Sequence, residues 1–162
     1  MKKIYAFLFL TILGSFWLIH FGCATPYLKG VTPQGEKVYL GFLPIRETEA
    51  YQSFLLSSKS EAAKLNYLLD RIKEAKNLIY YHAGSRYSWL EAYRGGAWVV
   101  RHHYEKGEDA KSFIHKETLL YERSGKPNAI QFPDGSIHIV YFVLLNELDS
   151  LEEAIAANSG TR

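Results

Sequence analysis

The stretch SEAAKLNYLLDRIKEAKNLIYYHAGSRYSWLEA, residues 60–92, decides the fold. Ala62, Leu65, Leu68, Leu69, Ile72, Ala75 and Ile79 recur at helical period, with Lys64, Asp70, Lys73, Glu74 and Lys76 between them. A single apolar stripe bordered by charge predicts an amphipathic helix over about residues 60–78, its charged face in solvent. Ser58, with Glu61 three residues on, reads as the capping box that starts it. The period then changes. From Tyr80 to Tyr87, aromatic residues flank Ala83-Gly84, the pattern of a tight β-hairpin with Gly84 at positive φ. Ser88 and Glu91 make a second capping box and open another helix, with Leu90, Tyr93, Ala97, Val100 and Tyr104 at 3-4 spacing. Helix, hairpin and helix in one short run are the signature of an α+β domain.

Beyond this stretch the punctuation is regular. Gly95-Gly96 interrupts the second helix, and each Gly costs about 1 kcal/mol relative to Ala. Either the helix breaks there or another backbone packs closely against it. Asp109 to Tyr121 predicts a third helix with Phe113 and Ile114 inward, stopped by Ser124-Gly125-Lys126-Pro127. Ala129–Phe132 and Ser136–Ile139 around Pro133-Asp134-Gly135 predict a second hairpin. Tyr141, Leu144, Leu145, Leu148, Leu151 and Ile155 place a final helix on one stripe, and residues 158–162 read as a frayed tail. On the N-terminal side, Lys37 to Leu43 reads as a strand ending before Pro44, and Arg46 to Leu56 as a short helix. The expectation is a small single α+β domain over residues 58–157, with about four helices and two short β-hairpins. A tether and small extended unit, residues 23–57, precede it.

The start of the chain speaks to location. Met1-Lys2-Lys3 is basic, Ile4 to Phe21 is almost unbroken apolar sequence, and Gly22 precedes Cys23, the only cysteine. This is the anatomy of a bacterial secretory signal over residues 1–22. Three outcomes are open. Cleavage before Cys23 would leave its thiol to carry a lipid, although His20 and Phe21 stand where a lipobox usually has Leu and a small residue. Cleavage before Thr25, with Gly22 and Ala24 as the small pair, would release a soluble protein. Without cleavage, residues 4–22 meet the threshold of roughly 18 residues for a spanning helix. The lipoprotein reading is favoured, with Cys23 as the lipidation site and the exported face of a membrane as the location; Ala24 after the cysteine is the outer-membrane type of address in Gram-negative cells.

Composition narrows the function classes. Without residues 1–22 the chain has 140 residues, and loss of Lys2 and Lys3 takes the basic count from 19 to 17, against 17 acidic residues. A neutral domain of that kind lacks the basic footprint of a nucleic-acid binder. A lone cysteine permits no internal disulfide and no thiolate metal site. No His-Glu-x-x-His, Gly-x-Ser-x-Gly or Walker-type motif occurs, so no cofactor, metal or catalytic set is assigned. Ser85 or Ser88 beside His82, and the acid pairs Glu108-Asp109 and Glu152-Glu153, are the nearest approaches to catalytic groupings; capping and surface roles explain them more simply. The aromatic content is high, with 12 tyrosines, and Tyr80, Tyr81, His82, Tyr87, Trp89 and Trp98 form a candidate binding surface for an envelope protein or a glycan.

Residues from about Ser60 to Glu153 resemble a family of small exported bacterial proteins, domain of unknown function 5329. The likeness rests on the Leu-Leu helix, the hairpin with a central Gly and Glu91-Ala92 at the next helix start. Ala110-Lys111-Ser112-Phe113-Ile114 follows, then the run Ser124-Gly125-Lys126-Pro127 to Pro133-Asp134-Gly135. Two positions depart from the pattern: Ala83-Gly84 stands for the usual Asn-Gly, and Gly95-Gly96 for a His-Leu pair. The resemblance implies this fold and an exported location, and it implies no activity. The expected role is a non-catalytic binding or accessory module held at a membrane surface by a lipid on Cys23. The alternative is an envelope hydrolase acting on peptidoglycan or peptide bonds with His82, His102 or His103 as base.

Overall fold

The computed structural model of the chain describes residues 37–119 and 127–159. Five α-helices and one sheet are arranged as an α+β unit: α1 (Glu49–Leu55), α2 (Glu61–Glu74), β1 (Ile79–His82), β2 (Ser85–Tyr87), α3 (Trp89–His103), α4 (Ala110–Thr118), β3 (Ala129–Gln131), β4 (Ile137–Ile139) and α5 (Val140–Ser159). Among the described residues a 3-10 turn, Ile45–Glu47, precedes α1. The signal segment, Cys23 and the Ser124–Lys126 turn lie outside the described residues.

The two hairpins are present, and they join. β1 pairs antiparallel with both β2 and β3, giving one four-stranded sheet in the order β2-β1-β3-β4. Tyr80 faces Tyr87 on one side and Ile130 on the other. Short hairpins are marginal alone, so their union supplies the third and fourth strands that make each worth forming. In the first turn Gly84 has φ +81°, as expected, and Ala83 also sits at φ +53°. Gly135 of the second turn has φ +87°, and Asp134 Oδ1 accepts from the Ser136 N–H at 2.9 Å.

Helix starts follow the caps with one correction. Ser88 and Glu91 form the reciprocal capping box, and Asp109 caps α4 by accepting from Ser112 N at 2.8 Å. For α2 the cap is Ser60, which accepts from Ala63 N, while Ser58 only donates to the Ser60 hydroxyl. Glu61 is left free to bridge two helices. Its carboxylate accepts the Ala110 N–H at 2.9 Å, tying α2 to the start of α4.

The segment read as a strand, residues 37–43, is irregular backbone. Its polar groups find side chains of α5 in place of a neighbouring strand: Leu40 N donates to Glu147 Oε1 at 2.7 Å, and the Val38 carbonyl accepts from Asn146 Nδ2 at 3.0 Å. Leu40, Ala50, Tyr51 and Phe54 are buried with the rest of the core. Residues 38–56 therefore pack as part of the same hydrophobic unit as α2 and α5.

The core centres on α2 and α5. α2 packs against all four other helices, and residues 141–148 of α5 are buried without interruption. The stripe expected for α5 widens into a helix enclosed on every side for two turns, which brings Asn146 and Glu147 inside. Glu147 is satisfied there. Arg71 Nε donates to its Oε2 at 2.9 Å and Nη2 to its Oε1 at 3.1 Å, and the Tyr67 hydroxyl donates to Oε2 at 2.9 Å. Arg71 also reaches Glu74, whose other oxygen accepts the Ala50 N–H. Burial, with the adjacent Glu147 charge, holds the Tyr67 phenol far above its usual range, so it keeps the proton that it donates. α5 continues to Ser159, and Asn158 Nδ2 donates to the Tyr51 hydroxyl at 2.8 Å, so the start of the expected tail is helical.

Candidate functional site

α3 is a fifteen-residue amphipathic helix with no buried residue. α2, one residue shorter, buries six. The Gly pair does not break α3. A side-chain carbon on Gly96 would stand 3.0 Å from Leu69 Cδ2, so α2 approaches α3 closely at that point, through a side chain and not through backbone. On either side of this contact the apolar face of α3 stands over a cleft of about 500 Å³.

Aliphatic side chains make the inner walls: Leu65, Leu68, Leu69 and Ile72 from α2, Ile114 from α4, Val140 and Leu144 from α5, and Val99 and Val100 from α3. Five of the six surface residues anticipated from sequence also line it, namely Tyr80, Tyr81, His82, Tyr87 and Trp98. Trp89 is not among the lining residues and packs half-buried against the core. The six do not form one exposed aromatic platform, since Tyr80 is 6 % exposed while Trp98 is 54 % exposed.

Most polar side chains of the lining already hold partners within the protein. His82 Nδ1 lies 2.8 Å from Asn128 Oδ1 and donates to it, because Asn128 Nδ2 donates to the Thr118 carbonyl at 3.2 Å. The Tyr81 hydroxyl donates to Gln131 Oε1 at 2.8 Å, the Thr118 hydroxyl donates to the Ile114 carbonyl, and Glu91 is held by Ser88. The Tyr80 hydroxyl is buried with no hydrogen-bond partner among the described residues, and burial raises its proton affinity. At the mouth, Trp98 stacks on His102 with centroids 4.5 Å apart and meets His103 edge-on at 5.3 Å. His103 Nδ1 sits 2.9 Å from Glu117 Oε2, which links the end of α3 to α4.

The groups weighed as catalytic are dispersed. His82 binds Asn128, His102 faces the Trp98 carbonyl, and His103 faces Glu117. Ser88 is the cap of α3, Asp109 the cap of α4, and Glu108 and Glu152 are engaged by lysines, Lys116 for the first and Lys64 and Lys111 for the second. Among the described residues no group of three or more His, Cys, Asp or Glu is placed to hold a metal, and no helix is long and apolar enough to cross a membrane.

A second cleft, of about 610 Å³, lies between residues 37–42, the β3–β4 hairpin and α5. Phe42 and Ile137, 86 % and 62 % exposed, stand on its walls. Its lining mixes Lys37, Asp134, Ser136 and Asn146 with apolar groups.

The periodicity that marks α3 as amphipathic was legible in the sequence; the gap beneath it was not. Gly95-Gly96 was its one trace. No protein-family model matches the chain, and no curated protein or solved structure matches it either.

Proposed function

We propose that this protein is an envelope lipoprotein that works without catalysis, binding an apolar ligand in the cleft under α3. Residues 1–22 direct export, Cys23 carries the lipid, and the domain is held on the exported side of a membrane. One observation carries the binding role: an amphipathic helix of fifteen residues packs on the core through side chains that are only partly buried, Ala92, Tyr93, Val99 and Val100 among them, and an aliphatic cleft remains beneath it. A fold that needed α3 only for stability would close that gap, because burying each Val or Leu side chain is worth about 1.5–3 kcal/mol. The volume falls within the roughly 300–1,000 Å³ of small-molecule sites. The N-terminal sequence and the resemblance to exported proteins of domain of unknown function 5329 support the location.

Two measurements test the two halves. The intact mass of the chain extracted from cell membranes should equal a chain starting at Cys23 plus acyl groups; an unmodified chain starting at Thr25 would remove the anchor. A chain starting at Thr25 keeps every core residue from Leu40 to Ala154. It should bind anilinonaphthalene sulfonate once per molecule, and Val99→Trp should abolish that binding at unchanged helical content. Equal binding by both chains would place the site elsewhere.

A further inference from the structure

We propose that the cleft under α3 takes one long acyl chain of a membrane lipid, an assignment that rests on the binding-module reading and names its ligand class. The chemistry of the walls selects it. A sugar presents hydroxyls on all sides and would need hydrogen-bond partners in the cleft, yet Tyr81, Glu91, Glu117, Thr118 and Asn128 are already engaged within the protein, and the Tyr80 hydroxyl, unpartnered among the described residues, is buried from the surface. A peptide would bring a donor and an acceptor with nearly every residue into the same aliphatic surroundings. An acyl chain brings none. The lining runs along α3 from Glu91 to Val100, nine residue steps or about 14 Å of helix, a length that an extended chain can follow. Trp98 at the mouth, with an apolar ring and a polar edge, suits the boundary between a buried tail and a solvated headgroup.

Gly95 is an independent sign. Gly in mid-helix is less favourable than every residue except Pro, and it is usually found there because of close packing or an unusual backbone. Gly95 has neither: it is a solvent-exposed position within α3, and nothing stands within 4 Å of where its side chain would be. It does line the cleft. The fold would be served by a larger residue there, whereas an occupant of the cleft would not.

Native mass spectrometry of the full chain, extracted from its membranes in a non-ionic detergent and supplied with 1-palmitoyl lysophosphatidylethanolamine, tests this. The wild type should carry one non-covalent adduct of the probe's mass. Gly95→Leu should melt no lower than wild type and lose adduct occupancy by about tenfold or more, the effect of overfilling a packed site. Equal occupancy in the two chains would overturn the proposal. So would an adduct on Cys23→Ser but none on wild type, since the chain's own acyl group would then fill the cleft. If no lipid binds while anilinonaphthalene sulfonate still does, the acyl assignment fails and the binding module stands; if neither binds, both fail.

Discussion

Arg71 and Glu147 are separated by 76 positions in sequence and by 2.9 Å in space. Neither is marked in the sequence. The stripe that identifies α2 omits Tyr67 and Arg71, because one helix packed against four others buries more than one stripe. Glu147 falls between Leu145 and Leu148 and reads as an ordinary polar position, yet it accepts four hydrogen bonds, from Leu40 N, Tyr67, and Arg71 Nε and Nη2. Removing one member of a buried ion pair leaves the other charged and uncompensated. Glu147→Gln should lower unfolding stability by about 3–5 kcal/mol, whereas replacing Arg71 and Glu147 together by Met and Leu should recover much of that loss; denaturant midpoints of the single and the double variant decide it. Ala83 is the opposite case, legible from the start as a departure from Asn-Gly. At φ +53° its side chain crowds the backbone at a cost of about 1–2 kcal/mol, and Asn tolerates that conformation better. Ala83→Asn should therefore raise the melting temperature, and an unchanged or lower value would show that the turn relaxes without strain.

At the scale of elements, the caps and turns were the most legible features, because they are local. Ser88-Glu91, Asp109 and Asp134-Gly135 all act within four residues. The strand expected at residues 37–43 failed for the converse reason: its backbone partners, Asn146 and Glu147, lie more than a hundred residues away. Asp109 makes a pH prediction. The backbone hydrogen bond from Ser112 holds its carboxyl below the usual carboxylate value, against the opposing effect of burial. A depressed acid stabilises the fold above its unfolded value, near pH 4, and the contribution disappears as pH falls through the lower folded value. Asp109→Ala should cost about 1 kcal/mol at neutral pH. The difference from wild type should shrink as pH falls below about 4 and vanish once the folded-state carboxyl is protonated as well, as followed by urea unfolding across the acid range. A difference that persists at low pH would mean that Asp109 acts through packing and not through its charge.

For the whole molecule, fold class was readable because the period changes from residue 60 to Thr118 and from Ala129 onward mark real elements. The union of the hairpins into one sheet was not, since the β1–β3 pairing joins residues about fifty positions apart and carries no local signature. The same distinction separates the site from its residues. Five of the aromatic and histidine positions picked out by composition converge on the cleft, but the cleft exists because α2, α4, α5 and the sheet meet beneath a helix that packs on them without fully burying any of its side chains. The decisive measurement is amide hydrogen exchange across α3, compared with α2 and α5, with and without anilinonaphthalene sulfonate. If α3 stands over an open binding cleft, amides of residues 95–100 exchange faster than those at the centres of α2 and α5 in the free protein and slow markedly when the probe binds. Protection in free α3 equal to that of α5, with no change on adding probe, would contradict it.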